Sequence, residues 1–71
     1  MAQLKEKFGK RLQSLRNQLG ITQEELANQS GLSLDTVSNI ERGINGTKFD
    51  VLEKFAGILN VEVKELFEFS E

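Results

Sequence analysis

Leu4, Phe8, Leu12, Leu15 and Leu19 recur at intervals of three or four residues, the spacing that lines one face of an α-helix. Gly20 follows as a residue suited to a left-handed C-terminal cap, so the pattern predicts a first helix over Gln3 to Leu19. Thr22-Gln23-Glu24-Glu25 then reads as a capping box, in which the Thr22 hydroxyl accepts from the Glu25 amide and the Glu25 carboxylate accepts from the Thr22 amide. Ile21 and Leu26 flank the box as a hydrophobic staple. A short second helix is predicted to about Ser30, ending at Gly31, and Ser33 caps a third that runs to Arg42 and stops at Gly43, with Leu32 stapled to Val37. Gly43 to Gly46 has loop chemistry, and Thr47 with Asp50 offers another N-terminal cap. A fourth helix follows with Phe49, Leu52, Phe55, Ala56 and Leu59 inward, Asn60 ends it, and a last helical turn spans Val63 to Phe67. The expectation is an all-α chain of five helices.

Seventy-one residues make a single domain over 1–71, near the lower limit for a core without staples. Cysteine is absent, so neither disulfides nor thiolate metal sites add stability, and pairing with a second copy is the natural supplement. Histidine, tryptophan and tyrosine are absent too, which removes the commonest general base and metal ligand. No catalytic site, metal, cofactor or small-molecule ligand is expected. No apolar run reaches the roughly 20 residues a bilayer requires, and the N-terminus lacks a signal-peptide core, so no membrane association and a cytoplasmic location are expected. Net charge is −2, yet the charges are unevenly spread. Lys5, Lys7, Lys10, Arg11 and Arg16 oppose only Glu6 at one end, while Asp50, Glu53, Glu62, Glu65, Glu68 and Glu71 outnumber Lys54 and Lys64 at the other. The basic end can face a polyanion while the acidic end faces away.

Two capped helices separated only by Gly31, Leu32 and Ser33 make a helix-turn-helix. Ala27 is small where the second helix must approach the third, Gly31 supplies a positive φ, and Val37 and Ile40 anchor the third helix from beneath. Left on its outer face are Leu34, Asp35, Ser38, Asn39 and Arg42, and a helix presenting such side chains fits the major groove of B-DNA.

Ile21-Thr22-Gln23-Glu24-Glu25-Leu26-Ala27, Gly31-Leu32-Ser33 and Val37-Ser38-Asn39-Ile40-Glu41-Arg42-Gly43 together resemble the lambda-repressor-like, or xenobiotic-response-element, family. The lead-in Leu15 to Gly20 and the tail Leu59 to Phe67 extend the resemblance to nearly the whole chain. It implies a compact five-helix DNA-binding domain, a transcriptional regulator similar to small phage repressors and restriction-modification controllers, with double-stranded DNA as partner. By the resemblance Gln23 contacts a phosphate at the start of the second helix. Leu34, Asp35 and Asn39 become base readers beside Ser38, with Asn39 able to pair bidentately with adenine, worth about 1–3 kcal/mol of discrimination. Leu34 touches a thymine methyl, and Asp35, which can only accept, suits cytosine N4 while repelling phosphates. Thr22, Ser33, Arg42, Asn45, Thr47, Lys48, Arg11 and Lys10 complete the expected phosphate contacts. Arg16 and Glu41 match an ion pair that braces the first helix against the third.

Leu66, Phe67 and Phe69 crowd the end of a chain too short to cover all of them, so they are candidates for a homodimer interface, with burial in the core as the other reading. A two-fold dimer would set recognition helices about 34 Å apart, one turn of DNA, on a palindromic operator. The competing function is a protein-interaction module, an antitoxin or anti-regulator partner using the same helical surface, favoured by the acidic balance and by Leu34 and Asp35.

Overall fold

The capping residues decide where the helices begin. In the computed structural model, which describes residues 3–69, the chain forms α1 (Leu4–Leu19), α2 (Gln23–Ser30), α3 (Leu34–Glu41) and α4 (Phe49–Leu59), followed by a 3-10 turn over Val63–Phe67. Among the described residues there are thus four α-helices and no strand, the expected fifth helix being that single 3-10 turn. Glu71, counted with the acidic end, lies outside them. None of these helices is long and apolar enough to cross a membrane.

Thr22 caps α2 as read from the sequence: its hydroxyl accepts from the Glu25 amide at 3.0 Å and its own amide donates to the Glu25 carboxylate at 2.7 Å. Ser33 caps α3 by accepting from the Thr36 amide at 3.1 Å. Gly31, at φ 78°, carries the chain between them through the left-handed region. The expected cap at Thr47 does not form. Lys48 is the capping residue of α4, one position later, so Asp50 becomes the second rather than the third helical residue, one place too early to close a box, and instead accepts from the Val51 amide at 3.0 Å.

Phe8, Leu12 and Leu15 of α1, Leu26 and Ala27 of α2, Val37 and Ile40 of α3, and Leu52, Phe55, Ala56 and Leu59 of α4 form one buried core. Both ends of the α1 stripe stay outside it, Leu4 and Leu19 being exposed. At about 1.5 Å per residue α1 is roughly twice as long as α2 or α3 and overhangs them at each end. Phe49, expected inward, is 87% exposed. It is the first residue of α4, and side chains lean towards a helix N-terminus, which carries this ring off the end of the core. Leu66 is a further correction: it is fully buried, because the 3-10 turn tucks it against α1 and α4, and it is core rather than interface. Phe67 and Phe69 remain half-buried beside it, Phe67 tilted against Phe8 with ring centroids 5.2 Å apart and edge-on to Phe69 at 6.2 Å.

A close backbone approach lies where α1 crosses the end of α3. A Cβ placed on Gly9 would sit 2.5 Å from the carbonyl oxygens of both Ile40 and Glu41, so only glycine lets the two backbones meet there. Gly57 of α4 is the opposite case, with nothing within 4 Å of the same added atom. The same methyl group should therefore act with opposite signs: Gly9→Ala is expected to lower the unfolding free energy by about 1–3 kcal/mol through overpacking, and Gly57→Ala to raise it by about 0.5–1 kcal/mol through helix propensity. Urea unfolding followed by circular dichroism measures both, and equal signs would refute the assignment of the Gly9 contact.

Candidate nucleic-acid interface

Burial of Val37 and Ile40 turns the opposite side of α3 outward. Leu34 and Asp35 are exposed in its first turn, Ser38 and Asn39 are half-buried one turn on, and Arg42 is exposed at its end. The chain after α3 folds back on this helix, since the amides of Ile44 and Asn45 both donate to the Asn39 carbonyl, at 2.9 and 3.3 Å. Asn45, Thr47 and Lys48 follow in the stretch leading into α4, with Asn45 and Lys48 exposed and Thr47 half-buried. Thr22 and Ser33 mark the starts of the two short helices, where free amides and the helix dipole attract anions.

A buried polar network holds this arrangement from behind. The Arg16 guanidinium donates through Nε to Glu41 Oε2 at 2.7 Å and through Nη2 to Glu41 Oε1 at 3.1 Å, a two-pronged pair. Its Nη1 donates to the Ile21 carbonyl at 2.8 Å, so the same side chain grips the chain just before α2 begins. Gln23 Nε2 donates to Glu41 Oε1 at 2.8 Å. Arg16 and Glu41 are both buried, and among the described residues no buried side-chain nitrogen or oxygen lacks a partner. Three helices therefore converge on one carboxylate: α1 through Arg16, α2 through Gln23, and α3, which carries it.

The first helix presents its cations differently from the sequence expectation. Arg11 was grouped with the phosphate contacts, but its Nε donates to the Glu65 carbonyl at 2.8 Å and its Nη2 lies 3.9 Å from the Glu68 carboxylate. Because α1 packs on the 3-10 turn, the basic and acidic ends of the chain adjoin rather than face apart, and Arg11 is engaged at that seam. Lys10 is exposed and free of these contacts. Lys5, counted from sequence only with the basic end, is brought to the loop after α3, its Nζ donating to the Ile44 carbonyl at 3.4 Å. No local signal marks Lys5; its position follows from the crossing of α1 over α3 at Gly9. That glycine itself was legible, because a glycine inside a helix costs about 1 kcal/mol against alanine unless packing requires it.

The helix-turn-helix family model matches residues 12–66, from within α1 to the 3-10 turn. The chain belongs to this family. The restriction-modification controller protein C.AhdI from Aeromonas hydrophila is 41% identical, superposes with a TM-score of 0.85, and is covered over 96% of its length by 89% of this chain. The control protein C.BamHI of Bacillus amyloliquefaciens is 33% identical over 64 residues, 89% of this chain and 79% of that protein. The cryptic phage CTXphi transcriptional repressor RstR of Vibrio cholerae is 33% identical over 64 residues, 90% of this chain but 58% of the repressor. In helix-turn-helix terms α2 is the supporting helix and α3 the one whose outer face is presented.

The buried network and the caps differ in what their loss should cost. Arg16→Met leaves the Glu41 carboxylate buried without its cation and is expected to destabilise the fold by about 3–5 kcal/mol. Thr22→Ala should cost about 1 kcal/mol, and Thr47→Ala, which removes no cap, less than that. Chemical unfolding of the three variants orders them, and an Arg16→Met loss no larger than that of Thr22→Ala would remove the network from the role given to it.

Proposed function

We propose that this chain is a sequence-specific DNA-binding transcriptional regulator that acts as a homodimer on a palindromic operator, with α3 in the major groove. The observation that carries this reading is the outer face of α3, where Leu34, Asp35, Ser38, Asn39 and Arg42 are presented on a helix capped at Ser33 and held from beneath. Membership of the helix-turn-helix family supports regulation rather than enzymatic chemistry, as do relatives named as controller and repressor proteins. Asn39 reads a base, Leu34 meets a thymine methyl, and Asp35 accepts from cytosine while lowering general affinity. Phosphates are met by Gln23 and by the exposed groups at the helix starts and in the 43–48 stretch, with Lys48 and Lys5 as its cations. Phe67 and Phe69, half-buried at the chain's end, form the seam with the second copy. A cytoplasmic location accords with this role.

Leu34 and Asp35, an exposed apolar group beside a carboxylate on the same helix face, favour a second reading in which that surface docks on a protein. Duplex selection from a random library separates the two. A regulator returns inverted half-sites one helical turn apart, with affinity falling steeply as salt rises. On the selected site Asn39→Ala is expected to weaken binding by about 1–3 kcal/mol, and Lys48→Ala to lower the salt slope by about one unit. Absence of any salt-dependent binding to duplex DNA would reject this function and leave the protein-docking surface.

A further inference from the structure

Gln23 is tied to the inside of the molecule before any ligand arrives, and the tie has a direction. An ionised carboxylate can only accept hydrogen bonds, so the group facing Glu41 Oε1 at 2.8 Å has to be the Gln23 amide nitrogen and not its oxygen. Glu41, 6% exposed, is itself held by two guanidinium nitrogens of Arg16, and Arg16 is held by the Ile21 carbonyl one residue before the cap of α2. Neither the carboxylate nor the start of α2 is free to turn. The amide nitrogen carries two hydrogens and Glu41 takes one. Gln23 is the first residue of α2 and half-buried, at a helix start where free backbone amides also lie, and its second N–H is not used by Glu41.

We propose that Glu41 is a positioning residue for DNA binding: buried behind the interface, it fixes the Gln23 carboxamide with one N–H inward and the other turned to a backbone phosphate. This rests on the reading of the chain as a DNA-binding protein and extends it to a residue that touches no DNA. A long neutral side chain is otherwise a poor phosphate ligand, because ordering its rotamers on binding costs free energy. Here that ordering is completed in the folded protein by a charge-assisted hydrogen bond.

A double-mutant cycle on an arbitrary 24-base-pair duplex tests the idea, because a phosphate contact does not depend on sequence. Gln23→Ala is expected to weaken binding about tenfold with an unchanged salt slope, since a neutral side chain displaces no counterion. Glu41→Gln should weaken it by a similar factor, although it makes the protein less acidic and bulk electrostatics alone would strengthen binding. In the Gln23→Ala background Glu41→Gln should then have no further effect. A loss that persists in that background would mean Glu41 acts only through the fold, and unchanged or tighter binding by Glu41→Gln would mean Gln23 is not aimed by it; either overturns the proposal. Should Glu41→Gln fail to fold, the wild-type protein answers by NMR. Of the two Gln23 side-chain N–H signals, the one facing Glu41 should be shifted by its charge-assisted hydrogen bond and stay in place when the duplex is added, while the other moves. A pair the duplex leaves unmoved, or one in which the hydrogen facing Glu41 is the one that moves, overturns it. Wild-type protein that binds the duplex at no salt concentration fails the DNA reading itself, a result distinct from an additive cycle in a protein that binds.

Discussion

The buried pairing of Arg16 with Glu41 is the constraint on which the rest of the structure depends. Taking both charges out of water is costly, and in interiors of this kind the Coulomb attraction roughly offsets that cost rather than exceeding it. The pair is therefore poorly explained as a source of stability. Its geometry gives a better account: the three donors used on Arg16 divide between two segments, two on the α3 carboxylate and one on the carbonyl that leads into α2. A guanidinium is planar and its donors diverge at fixed angles, so satisfying all three bonds at once specifies the relative placement of three segments. A hydrophobic trio of the same volume would fill the space and permit sliding. Gly9 is the complement to this, because α1 reaches the brace only if its backbone can lie against the Ile40 and Glu41 carbonyls.

That internal fixing bears on the surface because α2 and α3 are short. Helices of eight residues are far below the length at which a peptide is helical alone in water, so their form is imposed by caps at each start and by the core beneath. The outer face of α3 inherits its orientation from groups that lie off it: Val37 and Ile40 underneath, Glu41 at the end, and the Asn39 carbonyl that gathers the following loop. Electrostatics works in the same local way. A chain of net charge −2 can approach a polyanion when its carboxylates are occupied or turned aside. Glu25 closes a cap, Glu41 is inside, and Glu68 lies towards Arg11. Asp35, an exposed carboxylate on the outer face of α3, and Glu24 in the first turn of α2 are not so occupied.

How far the sequence discloses this depends on whether the decisive contact is local. The Thr22 and Ser33 caps act across three positions of the chain and could be read from spacing alone, as could the buried apolar positions at helical intervals. Family resemblance extended the reading to the pairing of Arg16 with Glu41. Thr47 with Asp50 has the same spacing as a working cap and is not one, because the helix starts a residue later and nothing in the local pattern records that. Leu66 was misjudged for want of knowing how the last turn packs, and Phe49 because an apolar residue at a helix end has the period of the core without a partner to bury it. Arg11 departs from its expected role for a related reason: which group a cation on α1 reaches is set by how α1 packs on the elements beside it, a tertiary fact.

Gly9 joins the two halves of this reasoning. In the sequence it sits beside Phe8 inside a strong helical pattern, and by propensity alone it weakens α1. In the fold it is the point that brings the end of α3 close to α1, and the reading face stands on the other side of that helix. A helix-stabilising alanine there would separate the backbones, lengthen the reach required of Arg16 and loosen the carboxylate on which Gln23 is hung. Local preference and global fold conflict at this residue, and the conflict is resolved in favour of the packing: α1 gives up intrinsic helicity so that α3 can lie against it.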